Sequence, residues 1–421
     1  MVTSRLPGLV LTDHEIVVPL DHTGSGGGSI SVYAREVVAP SREHDDLPWL
    51  LFLQGGPGGK APRPTERTGW LDRALRDHRV LLLDQRGTGR STPATRQTLA
   101  ALGTPEAQAE YLTHFRADAI VCDAEAFRRA LLGPDGRWRV LGQSFGGFCA
   151  VSYLSTAPEH LDAVLLTGGL PPLTGGPDRV YAATYPRMQR RTAAFYARYP
   201  DDERRVADVA DALAAGDVRL PSGDPLPVER FQQLGHAFGS KDGSDVVHHL
   251  IEEAFAGAEL SDVFLAGVEA ATSFLTQPLY AVLHEAIYCQ GEASRWSAQR
   301  LRAGQPWLDP AARPLGFSGE VVYPWMFEAD AALRPLAAAA ELLAQKRDWP
   351  ALYDPARLAA NEVPVVAAVY ADDLYVDAGL SLETAGTIGN LRTWVTNEHE
   401  HDGLRRGNVL DRLLDMAAGE V

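Results

Sequence analysis

Arg139-Val140-Leu141-Gly142-Gln143-Ser144-Phe145-Gly146-Gly147 is the stretch on which the reading of this chain turns. An apolar run leads into G-x-S-x-G, with one further glycine behind it. The pattern predicts a buried strand, a very tight turn and a helix, with the serine at the apex in a strained backbone conformation. Strand and helix pass close to each other at such a turn. The residues two before and two after the serine must therefore be small, as Gly142 and Gly146 are. The turn lifts the Ser144 hydroxyl out of the packing and leaves the Phe145 N–H facing whatever that hydroxyl attacks. G-x-S-x-G alone is a weak signal, and the flanks strengthen it. Trp138-Arg139-Val140-Leu141 reads as a strand, and Phe148 to Leu154 as a helix that stops near Ala157-Pro158. Ala163-Val164-Leu165-Leu166-Thr167-Gly168 reads as the next strand.

Upstream, Glu15 to Leu20 and Ile30 to Val38 alternate like two strands, and the Gly/Ser loop Gly24–Gly28 between them suggests an antiparallel hairpin. Trp49-Leu50-Leu51-Phe52-Leu53 and Arg79-Val80-Leu81-Leu82-Leu83 are continuous apolar runs, as expected of strands covered on both faces of a parallel sheet. The first runs into Gln54-Gly55-Gly56-Pro57-Gly58-Gly59. The second runs into Asp84-Gln85-Arg86-Gly87-Thr88-Gly89-Arg90-Ser91. Phe115 to Leu132 has helical spacing. This alternation predicts an α/β fold with a mostly parallel sheet. In such sheets ligands bind at the carboxyl ends of the strands, so the three glycine-rich stretches should converge on one site. After Pro171-Pro172 the pattern turns helical, with helices expected over 181–199, 203–215, 246–255, 260–275 and 331–346. Strand character returns at Val363 to Tyr370 and Leu391 to Val395, and a closing helix is expected over 409–416. The implied organisation is a main domain of residues 1–172 and 353–421, with a mostly helical cap inserted at 173–352.

Length and composition agree with this. A chain of 421 residues exceeds one average domain. With 39 basic against 55 acidic residues its formal net charge is −16, which disfavours nucleic acid and anionic membranes as partners. Three sparse cysteines, Cys122, Cys149 and Cys289, form neither a disulfide framework nor a metal pattern, and read as reduced packing residues of a cytoplasmic protein. No stretch suits a signal peptide or a membrane span. Neither cofactor nor metal is implied, and nothing specifies an oligomeric state.

A serine hydroxyl needs a base to take its proton, and the base needs an orienting acid. In an α/β-hydrolase these follow the serine in the order acid, then histidine, each at the end of a later strand. Asp372 and Asp373 follow the strand ending at Tyr370; His399 and His401 follow the one ending at Val395. Asp373 and His401 are the preferred pair, with Asp372 and His399 as alternatives. The oxyanion needs two N–H donors. Phe145 is one, and the Gly55-Gly56 loop is the source of the other.

Taken together, Gly55-Gly56-Pro57-Gly58, Asp84 to Ser91, Gly142 to Gly147 and the ending Asn397-Glu398-His399-Glu400-His401-Asp402-Gly403-Leu404-Arg405 resemble the proline iminopeptidases, in their longer form with a large cap. The resemblance implies a metal-free serine exopeptidase that releases an N-terminal proline from a peptide or amide through an acyl-enzyme. It implies Ser144 as nucleophile, Asp373 as orienting acid and His401 as base. The chain departs from many relatives in carrying Gln54 where they have histidine, and in reading Tyr370-Ala371-Asp372-Asp373 at the acid. The family holds the substrate's free amine with cap glutamates, which a blocked terminus cannot satisfy. Glu285 is the first candidate for this role, then Glu328 and Glu292, with Tyr288, Trp325 and Phe327 available to pack on the pyrrolidine ring. The competing expectations are an esterase, lactonase or amidase of the same fold acting on another small acyl group, and a non-catalytic binding protein built on the scaffold.

Overall fold

A computed structural model describes residues 2–24 and 27–421. Its strands are β1 (Val2–Leu6), β2 (Leu9–Pro19), β3 (Ser29–Val38), β4 (Trp49–Leu53), β5 (Arg79–Leu83), β6 (Trp138–Gln143), β7 (Leu161–Thr167), β8 (Phe255–Ala256), β9 (Glu259–Leu260), β10 (Val365–Tyr370) and β11 (Leu391–Thr396). Nine of them form one sheet in the order β1-β2-β3-β5-β4-β6-β7-β10-β11, and β8 pairs only with β9. From β5 to β11 every neighbouring pair is parallel, while β1, β2, β3 and the β3–β5 contact are antiparallel. This is the expected α/β-hydrolase sheet. The hairpin expected at Glu15–Val38 is present, although its Gly24–Gly28 loop lies partly outside the described residues. β1 was not expected. It pairs with β2 across a turn at Pro7-Gly8, where Gly8 takes φ +77°, and all its residues are exposed.

The continuous apolar runs are explained by what covers them. Leu51, Leu53, Leu81, Leu83, Val140 and Leu166 pack with the helices Ala117–Leu132 and Phe145–Thr156 on one face. Their alternate neighbours Leu50, Phe52, Val80, Leu82, Leu141 and Leu165 pack with the closing helix Val409–Ala418 on the other. Strand residues alternate between faces, so a sheet covered twice needs apolar residues at every position. Each leucine so enclosed stabilises the fold by about 1.5–3 kcal/mol.

Between β7 and β10 the chain is mainly helical, with helices at Gly176–Arg198, Asp202–Ala215, Gly243–Glu252, Asp262–Thr272 and Ala337–Gln345 among others. These have an apolar core of their own. Leu99, Leu112 and Phe115 belong to that core too, although they precede Ser144 in the chain. All three cysteines are free. Cys149 and Cys289 are buried, but Cys122 is exposed on its helix, which corrects the expectation that all three pack. Among the described residues no helix is long and apolar enough to cross a membrane.

Candidate active site

The turn at Ser144 has the conformation that its neighbours permit. Ser144 takes φ +55° and ψ −127°. Its N–H donates to the Thr167 carbonyl at 3.0 Å, and its own carbonyl accepts from the Gly147 N–H at 2.7 Å. A Cβ on Gly146 would stand 1.9 Å from the Leu53 carbonyl oxygen, and one on Gly142 would stand 2.6 Å from that of Gly146. Strand and helix thus leave no room for a side chain on either side of the serine. Gly55 is equally close: a Cβ there would lie 2.9 Å from that of Ser144. The loop after β4 therefore lies directly against the serine.

Asp373 and His401 form a pair at the ends of β10 and β11. His401 Nδ1 and Asp373 Oδ2 are 2.7 Å apart, and Asp373 is fully buried. The second carboxylate oxygen accepts from the N–H groups of Tyr375 at 2.8 Å and Val376 at 3.1 Å, which fixes the plane of the acid. Burial opposes a charge on His401, but Asp373 and Glu320 raise its pKa above the ordinary imidazole value. Asp372 is exposed, with its carbonyl held by Arg191. His399 packs against the rings of Tyr370 and Trp394.

A cavity of about 870 Å³ opens over this arrangement. Gln54, Gly55, Gly56, Ser144 and His401 line it from the sheet side. His236, Gln277, Tyr280 and Glu320 line it from the inserted helices, with Tyr375 between. Tyr280 donates to Glu320 Oε1 at 2.7 Å. Loss of water pushes the Glu320 carboxyl up to about 7. Asp373 adds to this, while His401 and the Tyr280 hydroxyl pull the other way. Gln54, at the departure from the usual histidine, is itself nearly buried. With its amide oxygen turned to the donors, it accepts from Arg405 Nη2 at 2.9 Å and from the Gly55 N–H at 3.1 Å.

None of the six residues expected to hold the substrate lines this cavity. Glu285 is buried, but its two oxygens accept from the N–H groups of Ser297 and Ala298 at the start of a helix. Glu292 and Glu328 are exposed. Tyr288 packs edge-on against Phe148, Phe327 against Trp296, and Trp325 stacks on Tyr323. Sequence reasoning passed over Glu320, Tyr280, His236 and Tyr375. One signal was present for Glu320. It is the only charged residue in the run Leu315-Gly316-Phe317-Ser318-Gly319-Glu320-Val321-Val322-Tyr323-Pro324-Trp325-Met326-Phe327.

The inserted helices also grip the loops that carry the acid and the base. Arg187, on the helix Gly176–Arg198, donates to Asp377 Oδ2 at 2.7 Å and to the Ala371 carbonyl at 2.8 Å. Arg191 reaches the Asp372 carbonyl at 2.8 Å and pairs with Glu400. The His401 N–H donates to the Gly239 carbonyl at 3.2 Å.

A family model described as alpha/beta hydrolase fold matches residues 48–204. The chain is 48% identical to a proline iminopeptidase of Aeromonas sobria over 415 residues, covering 98% of this chain and 97% of that one. It is 38% identical to the proline iminopeptidase aneH of Aspergillus aculeatus over 409 residues, covering 92% and 88%. A solved proline iminopeptidase structure from Mycobacterium smegmatis aligns over 96% of this chain and 97% of that one, at 15% identity and a TM-score of 0.43.

Proposed function

The chain belongs to the proline iminopeptidase family, and from that premise we propose how its residues release an N-terminal proline. Ser144 Oγ attacks the proline carbonyl and its proton passes to His401 Nε2, while Asp373 holds Nδ1–H and steadies the imidazolium that forms. The developing oxyanion is met by the Phe145 N–H and by the Gly56 N–H, the Gly55 N–H being taken up by the Gln54 side chain. His401 then gives its proton to the leaving amine. The prolyl ester on Ser144 is hydrolysed by a water that the same histidine activates, which frees proline and restores the serine. This makes the enzyme a serine exopeptidase. The inserted region at 173–352, with the helices at 96–112, forms its cap.

Glu320 is the residue that makes the reaction an exopeptidase reaction. A proline nitrogen bound at a carboxylate beside Tyr280 must be free and protonated; an acylated nitrogen brings no charge to pair with it. The observation that carries the reading is that Glu320 and the Asp373-bound His401 line one cavity with Ser144. Hydrolysis of proline 4-nitroanilide is compared with that of its N-acetyl form. Release of nitroaniline from the first and not the second is the expected result; equal rates on both would remove amine recognition from the account.

A further inference from the structure

We propose that the cavity carries a second charged subsite, opposite in sign to Glu320, in which Arg405, with Lys60 also in the cavity lining, receives the free carboxylate of a dipeptide's leaving residue. This rests on the exopeptidase reading above and names its substrate class: proline-first dipeptides ahead of longer peptides and amides.

Arg405 and Lys60 both line the cavity and both are exposed. Among the described residues neither has a carboxylate at ion-pair distance, whereas the other cations around them are matched. Arg63, on the same wall, is paired with the fully buried Asp84, and Arg406 with Asp402 and Asp242. Among the described residues the polar contacts of the Arg405 side chain run through Nη2 alone, to Gln143 Oε1 at 3.4 Å and to the Gln54 amide oxygen at 2.9 Å. These glutamines aim the guanidinium and leave its remaining donors unused. A planar fork with free parallel N–H groups is matched by a carboxylate. Of the two acids that line the cavity, Glu320 accepts from Tyr280, and neither it nor Glu66 pairs with either cation among the described residues.

The position suits the leaving side of the scissile bond. Gln143 directly precedes Ser144, Gln54 directly precedes Gly55, and Arg405 follows His401 by one helical turn. The nitrogen that leaves must be met by His401. In a dipeptide the next carbon but one after that nitrogen is the carboxylate. Each added residue carries the negative charge about 3.3–3.6 Å further along, past the guanidinium. The charge also has a partner to relieve: Arg405 works against the basicity of His401, and a bound carboxylate cancels that effect.

The test compares kcat/KM for prolylglycine, prolylglycinamide and prolylglycylglycine in the wild type, Arg405→Met and Lys60→Met. A charge-assisted pair predicts that the wild type favours prolylglycine over its amide by about tenfold to a hundredfold. It also predicts that this ratio collapses toward one in Arg405→Met and shrinks in Lys60→Met. Because the ratio is taken within each protein, damage to the oxyanion loop through Gln54 cancels. A wild-type ratio near one, or a ratio that survives Arg405→Met, overturns the subsite while proline 4-nitroanilide is still cleaved. A ratio untouched in Lys60→Met removes Lys60 from it. Failure to cleave the arylamide and all three peptides would overturn the exopeptidase reading and the subsite with it.

Discussion

Glu320 and His401 titrate in each other's field, and the roles proposed for them ask the same thing of pH, the loss of a proton. His401 accepts the serine's proton only when neutral, and its pKa is raised by Asp373 and Glu320. In the proposed role Glu320 must be ionised to hold the amine, and burial holds its carboxyl up to about 7. Raising the pH through neutrality therefore increases kcat and lowers KM together, until the substrate's own amine loses its proton. In Glu320→Gln the charge that raises His401 is gone, so the acid limb of kcat moves to lower pH. KM rises about tenfold to a hundredfold and loses its acid limb. Separate kcat and KM profiles check this, and an unmoved kcat limb would mean that Glu320 does not act on His401. Ser144→Ala is expected to lower kcat by about 10⁶-fold and Asp373→Asn by about 10⁴-fold, each with the melting temperature little changed. Asp372→Asn, on an exposed carboxylate, should stay within about twofold of the wild type. That contrast assigns the acid.

At the scale of elements, the strand–turn–helix around Ser144 and the helix Gly176–Arg198 make different demands. Gly146→Ala would drive a methyl group into the Leu53 carbonyl and force β4 and the nucleophile's helix apart. Loss of several kcal/mol, or of soluble protein, is expected. Gly216→Ala is the control. There φ is −133° and the nearest atom to a new Cβ is 3.6 Å away, so its unfolding midpoint should barely move. Arg187→Ala removes a largely enclosed ion pair with Asp377 and the hold on the Ala371 carbonyl. A loss of about 1–3 kcal/mol is expected, with kcat reduced more than KM is raised, because the segment that loosens carries Asp373. An unchanged kcat would show that the inserted helix does not position the acid.

At the scale of the whole molecule, the cavity exists only where two parts of the chain meet. Its floor comes from loops of the sheet and its far wall from residues 236, 277, 280 and 320. A ligand that joins Ser144 to Glu320 therefore ties both parts together. Prolinal, whose aldehyde the serine can add to, should stabilise the protein by about 2.7 kcal/mol at a hundredfold excess over its Kd. It should shift a single unfolding transition, and at the same ligand concentration Glu320→Gln should cut the stabilisation to about 0.4–1.4 kcal/mol. Two separate transitions, with only one moved, would show that the ligand does not bridge the two parts.

The sequence alone was sufficient wherever the physics is local. Gly142, Ser144 and Gly146 reveal their turn because backbone contact within a few residues demands it. The apolar runs reveal β4, β5 and β6 because a sheet covered on both faces admits nothing polar. Asp373 and His401 were legible as one of two choices each, since each follows a strand end. What separated them from Asp372 and His399 was the direction in which neighbouring residues leave a turn. Which carboxylate faces the cavity was decided by tertiary structure. Glu285 and Glu320 both sit among apolar neighbours in the sequence, but the fold gives Glu285 two N–H donors at a helix start and turns Glu320 into the cavity beside Tyr280. Likewise the lack of an acid partner for Arg405 among the described residues follows from which acids the fold brings near it. Such outcomes depend on contacts between segments far apart in the chain, and no spacing along the sequence records them.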